Sequence, residues 1–207
     1  MYLAAIGHIH GNLPALTAVL DHLDDEGILT ILNTGDSVVG HPEANEVVDL
    51  LRSHNVMSVL GEADRRAVHF LRKRATLEKK YSPEEFVAVE QAFESLRPEN
   101  LEYLRGLPRA RACNIEQLNI LLCHGTPANP AATLEETDSV DLFKRQREIA
   151  VADIIIGGGT HQPYARLVDA TLFVSPGSVG SKPHTATFAI IDTENQPWET
   201  RFVAVNY

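Results

Sequence analysis

The stretch Ala5-Ile6-Gly7-His8-Ile9-His10-Gly11-Asn12 (AIGHIHGN) ends a short apolar run, Tyr2 to Ile6. It precedes a segment in which Leu13, Leu16, Val19, Leu20 and Leu23 recur at helical spacing as far as Gly27. A short apolar run ending at a glycine reads as a buried strand, and the periodicity after it as an amphipathic helix. The unit then repeats: Ile28 to Leu32 and Val56 to Leu60 read as further strands, separated by a helix over Glu43 to Leu51 with Val47, Val48, Leu50 and Leu51 inward. Strand and helix in alternation predict a mostly parallel sheet covered by helices.

Residues from about Arg65 to Leu107 break that rhythm with charge-rich helical sequence, including Arg72-Lys73-Arg74 and Lys79-Lys80. Within it, Ser82-Pro83-Glu84-Glu85 is a capping box with proline at the first helical position, so a helix is expected from there to about Leu96. This segment reads as a helical insertion, and its basic run as a solvated helix face in preference to a phosphate site. Strands resume at Leu118 to Cys123 and Asp153 to Ile156. They then come closer together at Arg166 to Val168, Thr171 to Val174, Thr185 to Ile191 and Glu199 to Val205. The expected fold is α/β with two sheet layers flanked by helices, in a single domain over residues 1–207.

With 207 residues, 44% hydrophobic and 22% charged, the chain can bury a sizeable core. No apolar run approaches the roughly 20 residues that span a bilayer, and no cleavable leader is evident, which points to a cytoplasmic protein. Cys113 and Cys123 are too few for a disulfide framework and fit a reducing compartment. The net charge of −10 argues against long nucleic acid as a partner. Oligomeric state is not legible.

The polar loops after the apolar strands share a character. They carry His8 and His10, Gly35-Asp36, Gly61-Glu62-Ala63-Asp64, His124-Gly125, and Gly157-Gly158-Gly159-Thr160-His161. Ligands of open α/β sheets bind at the carboxyl ends of the strands. Imidazoles and carboxylates gathered there make a ligand set for Mn²⁺, Zn²⁺, Fe or Ni²⁺. His22, His54 and His69 lie outside these loops and read as helix-surface or core residues.

Through IGHIHGN, NTGDSVVG, VLGEAD, PENLEYLRGLP, LLCHGTP, IIGGGTHQPY and VSPGSVGSKP, in that order, nearly the whole chain resembles the calcineurin-like metallophosphoesterases, in particular the small bacterial phosphodiesterases and diadenosine-tetraphosphatase-like members. The resemblance implies the fold of that family, a two-layered β-sandwich flanked by helices, and two metal ions bridged by the aspartate of its G-D motif. It implies one metal set of His8, His10, Asp36 and His161, and a second of Asp36, Glu62, His124 and position 159. It also places Asp36, His124 and Asp64 in the catalytic machinery. Three positions depart from the family's pattern: His8 replaces an aspartate, Glu62 an asparagine, and Gly159 a metal-binding histidine. Ala63 further replaces a histidine or cysteine that assists the leaving oxygen, and His184 is a conceivable substitute ligand with no motif behind it.

Two functions follow as expectations. The first is a metal-dependent phosphoesterase acting on a small phosphodiester or nucleotide, its first metal site filled more readily than its second and its activity reduced by the depleted set. The alternative is a weakened or inactive relative that binds a metal, nucleotide or protein partner without turnover.

Overall fold

A computed structural model describes all residues from 1 to 207. In chain order the first elements are β1 (Tyr2–Ile6), α1 (Leu13–Asp25), β2 (Ile31–Asn33), α2 (Ala44–Ser53) and β3 (Met57–Ser58). Four helices follow: α3 (Glu62–Val68), α4 (Phe70–Lys80), α5 (Pro83–Ser95) and α6 (Pro98–Gly106). The remainder is β4 (Ala110–Ile115), β5 (Leu118–Cys123), α7 (Val140–Ile149), β6 (Ile154–Ile156), β7 (Pro163–Val168), β8 (Thr171–Pro176), β9 (Thr185–Asp192) and β10 (Glu199–Asn206).

The strands form two five-stranded sheets, ordered β10-β9-β1-β2-β3 and β4-β5-β6-β8-β7. β1, β2 and β3 run parallel, as the opening sequence pattern predicts, while β9 joins β1 antiparallel and β10 joins β9 antiparallel. In the second sheet β5, β6 and β8 are parallel, and antiparallel β4 and β7 form its edges. Both sheets are therefore mixed. In the second sheet the parallel strands lie centrally; in the first, β1 is central and the parallel β3 forms an edge.

Period-two alternation along β1 sets the layering. Leu3 and Ala5 face the sandwich interior with Leu32, Ile120, Leu122, Ile154, Ile156 and Val174. Ala4 and Ile6 face outward under Leu16, Val19, Leu20 and Leu23 of α1. On the opposite outer face, Phe143 of α7 meets Phe173 edge-on with ring centroids 5.0 Å apart. The insertion has its own apolar centre of Val68, Phe70, Leu77, Val89 and Leu104, packed against Val38 and Val48. Its α5 starts as its sequence requires, with Ser82 Oγ accepting from Glu85 N–H and the Glu85 carboxylate accepting from Ser82 N–H. No helix is long and apolar enough to cross a membrane.

Candidate metal centre

Both sheets send strand tips to one place. The turn from β1 to α1 carries His8 and His10, and the segment after β2 carries Asp36. His124 follows β5, and His161 follows β6. Backbone hydrogen bonds stitch these turns together: His8 N–H to Gly35 O at 2.9 Å, His10 N–H to Asp36 O at 2.9 Å, and Gly158 N–H to His124 O at 2.6 Å. Gly180 N–H to His8 O at 2.8 Å adds the turn after β8.

So close an approach explains two of the glycines. A Cβ on Gly35 would lie 2.5 Å from Gly61 N, and one on Gly61 would lie 2.1 Å from Asp36 N. The residues that offer side chains carry the turning themselves: His8, His10, Asp36 and His161 have φ of 53°, 55°, 57° and 56°. Left-handed backbone in non-glycine residues costs roughly 1–3 kcal/mol each and gathers at functional sites, where packing holds it in place.

The imidazoles of His8, His10 and His161 bring one nitrogen each to within 4.8 Å of one another. Hydrogen bonding sorts the nitrogens of each ring. His10 Nδ1 lies 2.9 Å from Val39 O and His124 Nδ1 lies 2.8 Å from Thr34 O. A carbonyl can only accept, so both Nδ1 atoms carry the proton and both Nε2 atoms keep a lone pair in the neutral ring, the arrangement by which outer partners orient metal-binding histidines. His161 Nδ1 is held 2.9 Å from Ser181 Oγ.

His8 is turned the other way. Its Nε2 accepts the Gly159 N–H at 2.7 Å, so the neutral ring is protonated on Nδ1. That Nδ1 is buried, has no hydrogen-bond partner, and sits 3.6 Å from Asp36 Oδ2. The His8 ring also stands only 3.9 Å from the His161 ring, centroid to centroid.

Asp36 is the electrostatic centre of the group. Its Oδ1 accepts from Ala63 N–H at 2.7 Å, and its Oδ2 faces His124 Nε2 at 3.4 Å. Burial alone would raise its pKa, but the neighbouring rings of His124 and His8 hold it well below the ordinary aspartate value. Burial opposes the charge on His124, yet Asp36 outweighs it and the His124 pKa is raised. The other three rings are pushed toward the neutral form: His8 and His10 chiefly by burial, and His161 to about 4 by burial and then by its histidine neighbours. A carboxylate beside several neutral imidazoles is a donor set for a transition-metal ion.

The sequence profile of the Calcineurin-like phosphoesterase superfamily domain matches residues 1–196. The chain belongs to that superfamily. It is 27% identical to an uncharacterized protein of Methanocaldococcus jannaschii over 225 residues, covering 99% of this chain and 87% of that one. A crystal structure of a hypothetical protein from Pyrococcus horikoshii OT3 superposes with a TM-score of 0.85 at 26% identity, covering 100% and 88% of the two chains. A metallophosphoesterase from Sphaerobacter thermophilus gives a TM-score of 0.76 at 24% identity, covering 100% and 89%, and shares the fold.

Calcineurin-like phosphoesterases bind divalent metals, and the residues present here fit one such ion: three imidazole nitrogens converge beside a buried carboxylate, and one buried nitrogen lacks a partner. The other expected set is placed differently. The Glu62 carboxylate is gripped by its neighbour Arg65, through Nε at 2.9 Å and Nη2 at 2.5 Å, and this pairing outweighs burial to lower the Glu62 pKa. Gly159 contributes only its amide, and Ala63 only the N–H that binds Asp36.

Asp64 lies one layer behind the site, fully buried. Its carboxylate accepts from Ser37 and Val38 N–H at 2.8 and 3.1 Å and from Gly61 N–H at 3.2 Å. Burial and then the charge of Asp36 raise its pKa to about 6. Its place is to fix the Asp36 loop to α3. Asn12 caps α1 through Ala15 N–H at 3.1 Å, and its amide reaches Tyr207 Oη at 2.8 Å. His184 lies beside Tyr207, outside the three-histidine group. The orienting groups Val39 O, Thr34 O and Ser181 were not read from the sequence. The carbonyls have no sequence signal, and Ser181 had only its place after the glycine-rich turn.

Proposed function

We propose that this protein is a metal-dependent phosphoesterase of small phosphodiesters or nucleotides that works with a single well-held divalent ion and is slow for its family. The observation carrying this reading is the convergence of His8, His10 and His161 on one point beside Asp36. An ion there would be held by Nε2 of His10, a nitrogen of His161 and Asp36. His8 would join through Nε2 on giving up the Gly159 N–H. When bound, the ion would supply positive charge that polarises a phosphoryl oxygen and acidifies water.

The chain's own groups supply the rest. Asp36 balances the charge of the site. His124 holds a proton on Nε2 against Asp36 Oδ2, and with no side chain at Ala63 to assist the leaving oxygen, this is the proton the site has to give. General-acid help of this kind is worth roughly 10²- to 10⁴-fold in rate. The Glu62–Arg65 pair and Gly159 leave the second ligand set short, which supports the slow rate.

The test is metal analysis of protein purified without chelator, joined to hydrolysis of bis(p-nitrophenyl) phosphate with Mn²⁺, Zn²⁺, Ni²⁺ or Fe²⁺. One ion per chain with slow turnover, both lost in His10→Ala, is expected. Stoichiometric ion without turnover under any of these metals would replace the enzyme by the binding relative.

A further inference from the structure

The glycine-rich turn after β8 spends four successive amides on the protein itself. Ser178 N–H donates to Thr187 Oγ1 at 2.9 Å, Val179 N–H to Gly7 O at 3.0 Å, Gly180 N–H to His8 O at 2.8 Å, and Ser181 N–H to Ser178 Oγ at 3.1 Å. These N–H groups are not free to form an anion-binding nest. What the turn holds out is a pair of hydroxyls. The buried Ser178 Oγ lies 3.1 Å from His8 O and 2.6 Å from Ser181 Oγ, and Ser181 Oγ in turn lies 2.9 Å from His161 Nδ1. The row runs unbroken from the carbonyl of one metal-centre histidine to the ring of another.

A hydroxyl carries one proton, so the row can point in one of two directions. In the first, Ser178 O–H donates to His8 O, Ser181 O–H to Ser178 Oγ, and His161 Nδ1–H to Ser181 Oγ, which makes three hydrogen bonds. In the second, Ser178 donates to Ser181 and Ser181 to His161 Nδ1, which makes two and leaves the contact with His8 O without a proton. A carbonyl can only accept, so His8 O favours the first direction. The direction decides what His161 can do. With the proton on Nδ1 the neutral ring keeps its lone pair on Nε2; with Nδ1 accepting, Nε2 carries the proton and has nothing to offer an ion. The backbone of His161, at φ 56°, is fixed separately: Ser175 Oγ donates to Gln162 O at 2.7 Å and Gln162 N–H to Thr160 Oγ1 at 3.0 Å. An ordinary turn bond accounts for Ser178 Oγ accepting from Ser181 N–H, but not for the Ser181 hydroxyl standing between Ser178 and the ring.

We infer that Ser178 and Ser181 are positioning residues for the metal centre: anchored on His8 O, their hydroxyls hold His161 in the tautomer that leaves Nε2 free for an ion. That an ion binds there rests on the phosphoesterase reading; the tautomer belongs to the metal-free chain. His10 and His124 are set in the same tautomer by a backbone carbonyl directly, whereas His161 reaches its carbonyl through two serines. The relay therefore couples a ring that follows β6 to the backbone of the turn after β1, so one row of hydrogen bonds sets ligands from both sheets.

The experiment is two-bond proton–nitrogen correlation NMR of the metal-free full chain with labelled histidine, at a pH where the His161 ring, pushed down to about 4, is neutral. His161→Ala assigns the signals, and Zn²⁺ affinity is read alongside by competition with a chromophoric chelator. Wild type should carry the His161 proton on Nδ1. Ser178→Ala leaves the Ser181 hydroxyl without its acceptor and turns it onto His161 Nδ1, so the proton should move to Nε2 and Zn²⁺ should bind about tenfold or more weakly, the scale of a lost outer partner. Ser181→Ala, at an exposed position, should populate both tautomers, and Ser181→Thr, which keeps the hydroxyl, should hold the wild-type tautomer with affinity within about twofold. Adding Ser181→Ala to Ser178→Ala should weaken Zn²⁺ no further, because the hydroxyl enforcing the wrong tautomer is gone. A wild-type proton on Nε2, or a tautomer unchanged in both Ser178→Ala and Ser181→Ala, overturns the relay even if the protein proves an active phosphoesterase. The expected tautomers uphold it even if no ion binds, which would count against the phosphoesterase reading alone.

Discussion

The two sides of the strand-tip cluster are built to different standards. On the side of β1 and β2, His10 is oriented by a backbone carbonyl, Asp36 is anchored by the Ala63 amide, and backbone bonds from Gly35, Asp36 and Gly180 hold the turns. On the side of α3 stand a glutamate turned to Arg65 and an alanine, and after β6 a glycine offers only its amide. One side of the cluster therefore presents oriented, convergent side chains, and the other does not. The first side is the one in which left-handed residues must be held in place by packing.

The largest change is expected from Asp36→Asn, which leaves His124 without its buried counter-charge. Removing one member of such a pair costs about 3–5 kcal/mol, so thermal unfolding should report a large loss together with loss of bound ion. His10→Ala deletes a converging nitrogen and should weaken ion binding by more than the roughly 100-fold ceiling for changes one layer out, read by competition with a chromophoric chelator. A result near wild type for either would erase the contrast between the two sides.

On the depleted side, Gly159→His puts a side chain at φ 92°, with its Cβ 3.2 Å from Thr133 Cγ2. A cost of about 1–3 kcal/mol is expected without a second ion appearing in metal analysis, because backbone strain opposes the restored ligand. A second bound ion would show that position 159 alone limits the site. Smallest of all is Glu62→Gln, which removes a part-exposed pair worth up to about 1 kcal/mol.

A pH titration sharpens the same contrast. Burial and its histidine neighbours push the His161 ring down to about 4 in the folded chain, below the ordinary imidazole value of about 6.5. As pH falls from 6.5 toward 4, the unfolded chain takes up a proton that the folded ring refuses, so its contribution to stability is full above 6.5 and lost through that window. Ion retention should persist below pH 6.5, where free imidazole protonates, and fail as pH approaches 4, measured by equilibrium dialysis.

Much of this was legible in the sequence because its signals were local. β1 and β5 lie at their expected bounds, and α5 starts at its capping box. The missed elements lacked such signals. β4 is an edge strand alternating Ala110, Ala112 and Asn114 outward with Arg111, Cys113 and Ile115, so its apolar face is weak. α7 is half charged and buries only Phe143 and Gln146. The insertion was read with one definite helix and holds four, because α3 begins inside a loop expected to carry ligands. The candidate ligands were found by their place after strands. Which nitrogen of His8 is free, and that Glu62 turns to Arg65, depend on contacts between residues or rotamers that no spacing encodes.

The histidines come from turns of both sheets, so the site straddles the seam of the sandwich. An ion seated there would act as a rivet between the layers, resisting any slide of one sheet across the other. Loading the metal would then tighten backbone far from the ligands, and the empty protein would be the looser one along its whole upper rim.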